Sequence, residues 1–275
     1  MQGITTKPVT FRGAAAMKQT NWPDKCGAMQ RSLISSGLHV VSGLILALSV
    51  EPLFAQIDVN IRTEPTQQLI SMNQLLTPQK AQRATERART AFMLGRFEEA
   101  DKQAKRALDI FPRCANALTV EGLIRMQDRD DGDALRLFQE AIDADPTMGV
   151  AYLAMGQIFN TQGRFKEALV PLSRAAAFLP GVWSVHYETA RARLGDGEVQ
   201  SGLIEIAYAE RFIGTDSQNR SALSFLRGIA NLLRKDYTAG TQYLNDAIKR
   251  DPKGPYALLA RKALERSQPS PINEK

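Results

Sequence analysis

The chain has 275 residues, 44% of them hydrophobic and 7% aromatic, with 35 Lys/Arg against 29 Asp/Glu for a net charge of +6. Residues 1–55 hold five of the cations and two of the anions, so the remainder, at 30 against 27, is a mixed and solvated surface. No Lys/Arg block is interleaved with aromatics, which excludes a nucleic-acid footprint, and beyond residue 55 Cys114 is the sole cysteine, which excludes an internal disulfide there.

Residues 1–55 read as a leader. A run of 19 residues without formal charge, 32–50, follows Arg31 and is stopped by Glu51-Pro52. A basic flank, an apolar core over Leu38–Leu48 and Ala55 before the polar Gln56 together have the chemistry of a secretory signal. Its length is ordinary if translation starts at Met29. Cleavage falls after Ala55, where Leu53 is bulky for its place, or after Ser49, where Ala47 and Ser49 are both small. Left uncleaved, the run is long enough to cross a hydrocarbon core of roughly 30 Å as an inner-membrane anchor, although its glycines and serines make it a weak one. Both readings put the rest of the chain outside the cytoplasm, periplasmic or anchored. Residues 56–77 form a linker in which Gln67–Leu76 has apolar spacing for a short helix. That segment could lie in a groove of its own chain.

Thr77-Pro78 reads as a helix N-cap followed by a first-turn proline. From here a period emerges. Pro112, Pro146 and Pro180 stand 34 residues apart, and small residues recur in phase before them: Ala88, Gly122 and Gly156, then Ala100, Ala134 and Ala168, then Ala107, Ala141 and Ala175. Such positions let two helices approach closely. Phe97 and Phe165 share one large slot, and Phe138 and Leu172 another. Turns fall at Gly95-Arg96, at Gly163-Arg164 and, between them, at the polar stretch Asp128–Asp133. A fourth match ends at Pro252 with Gly228, Tyr237, Leu244 and Ala247 in place, two periods and four residues beyond Pro180. Residues 183–216 fill the gap with Ala190, Gly202, Ala209 and Gly214, and the four extra residues are expected in the Gly214–Arg220 turn.

The stretches Gly95-Arg-Phe-Glu-Glu-Ala100 with Ala107-Leu108 and Pro112, and Gly163-Arg-Phe-Lys-Glu-Ala168 with Ala175 and Pro180, resemble the tetratricopeptide repeat (TPR). A period of 34 belongs to a helix-turn-helix solenoid in which no unit buries its own apolar face. The expected fold is all-α: a right-handed superhelical solenoid of about five units at 81–114, 115–148, 149–182, 183–216 (degenerate) and 221–254. A capping helix over 255–266 closes a domain of residues 78–267, and residues 267–275 form a disordered tail. The first helix carries Ala84, Arg87 and Ala91 where the family prefers large apolar residues, so that end is the least firmly packed.

Few residues suggest chemistry. His186, the one histidine beyond the leader, sits at a helix-packing position with no cysteine, Ser–Asp pair or second histidine placed to join it. Asp128–Asp133 has a fragment of a calcium loop, but its glycine comes at the fifth place and Gln139 stands where a bidentate Glu is needed, so it reads as a solvated turn. Cys114 reads as a turn thiol, and Asn219-Arg-Ser221 as a chance glycosylation tripeptide. No catalytic set, cofactor loop or metal site can be assembled, and the expectation is a non-enzyme without cofactor.

The resemblance implies that the first helix of each unit lines a concave groove. Carried over by position, the candidate ligand contacts are Thr85, Arg89 and Phe92; Asn116, Thr119 and Met126; Leu153, Gln157 and Asn160; Tyr187 and Arg191; and Phe225 with Ile229. The family's two-carboxylate clamp needs Lys and Asn at slots that here hold Thr85/Arg89 and Thr119/Leu123, so that mode is not expected. The implied function is an exported scaffold or adaptor that binds a peptide or protein partner in cell-envelope complex assembly. Nucleic acid is not a partner, and a membrane is one only if the leader stays. The alternatives are a self-associating structural solenoid and, least supported, an enzyme or enzyme subunit.

Overall fold

The computed structural model describes residues 71–267, so the leader, its cleavage sites and the C-terminal tail lie outside the described residues. Within them the chain forms twelve α-helices and no strand. A short α1 (Met72–Leu76) precedes five hairpins: α2 (Gln79–Met93) with α3 (Phe97–Ile110), α4 (Ala115–Gln127) with α5 (Asp131–Ala144), α6 (Gly149–Thr161) with α7 (Phe165–Phe178), α8 (Trp183–Gly195) with α9 (Val199–Phe212), and α10 (Ser217–Leu233) with α11 (Tyr237–Arg250). Helix α12 (Pro255–Ser267) packs on the last hairpin. The fold is an all-α solenoid.

One backbone device makes every hairpin. Each turn holds a single residue in the left-handed region: Gly95 (φ 71°), Arg129 (62°), Gly163 (72°), Gly197 (88°) and Lys235 (63°). Around each, the same pair of bonds recurs, as in Gly95 N–H to Phe92 O and Arg96 N–H to Ala91 O, both 2.9 Å. This closes the first helix by satisfying carbonyls that have no intrahelical donor. Asp130, Asp216 and Asp236 then accept from backbone N–H groups three residues on and cap α5, α10 and α11. The polar stretch 128–133 is therefore a turn and a cap. Thr77 is not the cap of α2; its hydroxyl donates to Asn73 O at 2.6 Å instead.

The periodic small residues are where helices touch. Ala100, Ala107, Ala134, Ala141, Ala168 and Ala175 have no exposed surface. A Cβ on Gly122 would lie 2.6 Å from a Phe138 ring carbon, and one on Gly156 would lie 2.5 Å from Leu172. Glycine permits that approach and the facing helix fills it with a large side chain. In the degenerate unit the pairing is inverted, with Leu194 on the first helix entering the space left by Gly202 on the second. The four extra residues do not extend a loop. Asp216 starts α10 a turn early, and the helix runs for 17 residues where α4, α6 and α8 run for 13.

His186 packs as a structural residue. Its ring stacks on those of Tyr208 and Phe212, with centroids 5.5 and 5.7 Å away. Nδ1 lies 2.8 Å from Glu205 Oε2, and Nε2 lies 3.2 Å from the Pro180 carbonyl oxygen. Both partners are acceptors, so both hydrogen bonds need the doubly protonated ring. The Glu205 bond, opposed by partial burial, raises the imidazole above its ordinary 6.5. A raised folded-state value means stability that is complete below the unfolded value and is lost as pH rises through the folded one. Wild type is therefore expected to exceed His186→Gln in stability by more at about pH 5.5 than at about pH 9, read from urea midpoints. An equal difference at both would show a neutral ring.

Candidate functional site

Helices α2 and α4 run side by side and leave a groove of about 630 Å³ between them. Its floor is apolar: Phe92 from α2, Val120 and Leu123 from α4, and Met148, Val150 and Leu179 from the edges of the next unit. The rim can hydrogen-bond, through Gln74, Gln82, Arg83, Arg89 and Asn116. Arg89 pairs with Glu86 one turn earlier on the same rim. Below it, the Thr85 hydroxyl donates to Ala81 O at 2.9 Å, which leaves its lone pairs facing the buried Cys114 thiol at 3.6 Å.

Five residues expected from repeat position meet here: Thr85, Arg89, Phe92, Asn116 and Thr119. The other seven, with Ile229, do not. Met126, Leu153, Gln157, Asn160, Tyr187, Arg191 and Phe225 are all 5% exposed or less and lie inside the solenoid. The cause is long-range packing. Tyr187 donates its hydroxyl to that of Tyr256 on α12 at 3.3 Å, across 69 positions, and Phe225 packs on the same Tyr256 ring. Between α6 and α8, Asn160 Nδ2 donates to both Glu188 O and Glu188 Oε2 at 2.9 Å, while Arg191 Nη1 donates to the same carboxylate at 2.9 Å. Burial lowers the Arg191 guanidinium, but Glu188 outweighs it and holds the value up. Burial pushes the Tyr187 phenol up to about 12. These groups lie inside the solenoid, where Asn160 Oδ1 and Arg191 Nε and Nη2 have no hydrogen-bond partner among the described residues.

Position-based reasoning missed Gln74, Gln82 and Arg83 on the rim and Met148, Val150 and Leu179 on the floor. The first three come from α1, before the repeats, and from the next face of α2. Met148 and Leu179 come from connections, where a pattern of fixed helix positions has nothing to say, and Val150 is the second residue of α6. Among the described residues, no group of three or more His, Cys, Asp or Glu is placed to hold a metal ion.

The tetratricopeptide repeat family profile matches residues 85–149 and again 132–182. Residues 85–182 carry tetratricopeptide repeats. No curated protein matches the chain in sequence. In fold this TPR chain is similar to YrrB, described as a TPR protein with an unusual peptide-binding site, at 17% identity and a TM-score of 0.52 over 66% of this chain and 90% of that one. It is similar to TTC0263, a thermophilic TPR protein of Thermus thermophilus, at 18% identity and a TM-score of 0.53 over 67% and 99%. It is also similar to PilW, a type IV pilus biogenesis factor, at 19% identity and a TM-score of 0.54 over 67% and 82%. These likenesses speak to the fold. TPR folds bind peptide or protein partners, and the α2–α4 groove of this TPR protein suits such binding, with an apolar floor for anchoring side chains below donors and acceptors for a main chain.

Proposed function

We propose that this TPR protein is an exported, non-catalytic adaptor that holds a peptide or a protein segment in the α2–α4 groove during assembly of a cell-envelope complex. The groove itself carries the reading. Its polar rim above six apolar floor residues is an anchor pocket with hydrogen-bonding walls, and it holds no nucleophile paired to a base. Export rests on the charge pattern of residues 31–56. No helix among the described residues is long and apolar enough to cross a membrane. The peptide-binding description of YrrB and the pilus role in PilW's description are consistent with such work.

Stacking of copies through the first unit draws less support. Beyond the rim residues Arg83 and Glu86, the free end of the first hairpin presents Arg87, Arg96 and Glu99 around Thr90, Ala91 and Leu94, a mostly charged surface that favours water over a neighbouring repeat.

The reading is tested by crosslinking and pull-down from the envelope fraction. The double variant Arg89→Glu, Asn116→Arg changes the rim, and Arg136→Glu on the exposed side of α5 serves as control. A partner captured by wild type and control is expected to be reduced at least about tenfold with the rim variant, whose helicity is unchanged; tenfold corresponds to about 1.4 kcal/mol. Equal capture by all three would move binding away from this groove.

A further inference from the structure

Helix α1 has an unusual position. It is five residues long and buries none of them, and Met72, Leu75 and Leu76 are 68, 63 and 64% exposed. A helix this short has no stability of its own, since isolated helices below about 12–15 residues are marginal in water. Local bonds hold its shape: Ser71 Oγ accepts from Gln74 N–H, and the Thr77 hydroxyl donates to Asn73 O. One side chain ties it to the repeats beyond α2. Asn73 Nδ2 donates to the Arg113 carbonyl at 2.6 Å, while Asn73 Oδ1 accepts from Ala115 N–H at 3.1 Å.

That carboxamide makes the two bonds that a peptide unit would make. Arg113 C=O and Ala115 N–H are a donor–acceptor pair at the start of α4, whose own N-cap residue, Cys114, contributes no side-chain bond. They flank Cys114, which lines the groove with the next residue, Asn116, and α1 adds Gln74 to the same lining. Gln82 on α2 donates to Gln74 O and Thr77 O, so the segment lies across the mouth between α2 and α4.

We propose that α1 is an internal competitor for the groove: its Asn73 carboxamide occupies a docking point for a partner's carboxamide or main-chain amide, and partner binding displaces it. The inference rests on the groove-binding reading above and gives the partner's chemistry at one end of the site. Displacement unburies none of α1's own residues, because none is buried in place. Removing the tether raises the groove's apparent affinity by the factor by which the open state gains population.

The test uses full-length wild type and Asn73→Ala with a fluorescein-labelled peptide copying residues 71–78, and a second peptide with Ala at the Asn73 position. The native peptide is expected to bind the Asn73→Ala protein at least about tenfold more tightly than wild type, and the Ala peptide to bind neither. In the same variant without peptide, amide exchange at residues 72–77 and at Ala115 is expected to accelerate at least about tenfold, with α6–α12 unchanged. Equal peptide binding to both proteins, binding of the Ala peptide as tight as the native one, or no binding at all overturns the proposal. So does unchanged exchange at 72–77. The rim variant separates the two ideas: a partner lost with Arg89→Glu, Asn116→Arg while Asn73→Ala changes nothing removes the competitor and leaves the groove.

Discussion

Replacing Arg191 with methionine is expected to cost about 3–5 kcal/mol of stability, the penalty for leaving one charge of a buried pair uncompensated. Glu188 has no exposed surface and Arg191 only 3%. The carboxylate takes its charge-bearing bonds from Arg191 Nη1 and a neutral one from Asn160 Nδ2. Methionine fills much of the arginine's volume, so the cost reports lost charge compensation more than lost packing. A single-site loss on this scale is large against a total of about 5–15 kcal/mol for a whole protein. Adding Glu188→Gln removes the stranded charge while keeping an acceptor for Asn160. The double variant is expected to recover most of the loss, because replacing a whole buried pair is often neutral. Urea midpoints followed by far-ultraviolet circular dichroism read both changes. A single variant within about 1 kcal/mol of wild type would mean that the carboxylate reaches water.

Phe138→Ala is the second large effect, at about 3–5 kcal/mol. The ring has no exposed surface and lies directly against Gly122. With no side chain on that glycine to move inward, the cavity has little means of collapsing, which puts the cost toward the upper part of the range. The converse change, Gly122→Ala, presses a methyl group to 2.6 Å from the ring and is expected to cost about 1–3 kcal/mol by overpacking. Combining Gly122→Ala with Phe138→Leu restores room and should recover part of that cost. Thermal midpoints of wild type, Gly122→Ala, Phe138→Leu and the double variant check the coupling; strictly additive losses would show that the two residues do not share one space.

These sites show how much of the molecule the sequence made legible. The prolines, the alanines and the Gly122/Phe138 and Gly156/Leu172 slots recur because each unit packs on its neighbour in the same way, so one local rule is written several times. The turns were legible at Gly95 and Gly163, where glycine marks the left-handed residue, and less so where Arg129 and Lys235 carry the same conformation. The degenerate unit was legible in register, though not in its inverted Leu194/Gly202 pairing or in the lengthening of α10. In the groove, repeat position placed Thr85, Arg89, Phe92, Asn116 and Thr119. Tyr187 and Phe225 lie outside it, closed off by Tyr256, which reaches Tyr187 across 69 residues, and no local pattern encodes that contact. Asn73 escaped for the same reason: its partners lie 40 and 42 positions away.

The central claim is that the α2–α4 groove is the surface this protein uses. Its most direct test is a photoreactive amino acid in place of Asn116, on the groove rim, compared with one in place of Arg136 on the exposed side of α5, each in the full-length protein in its own cells. A discrete crosslinked partner is expected from position 116 and not from position 136. Crosslinks from 136 with none from 116 would contradict the claim.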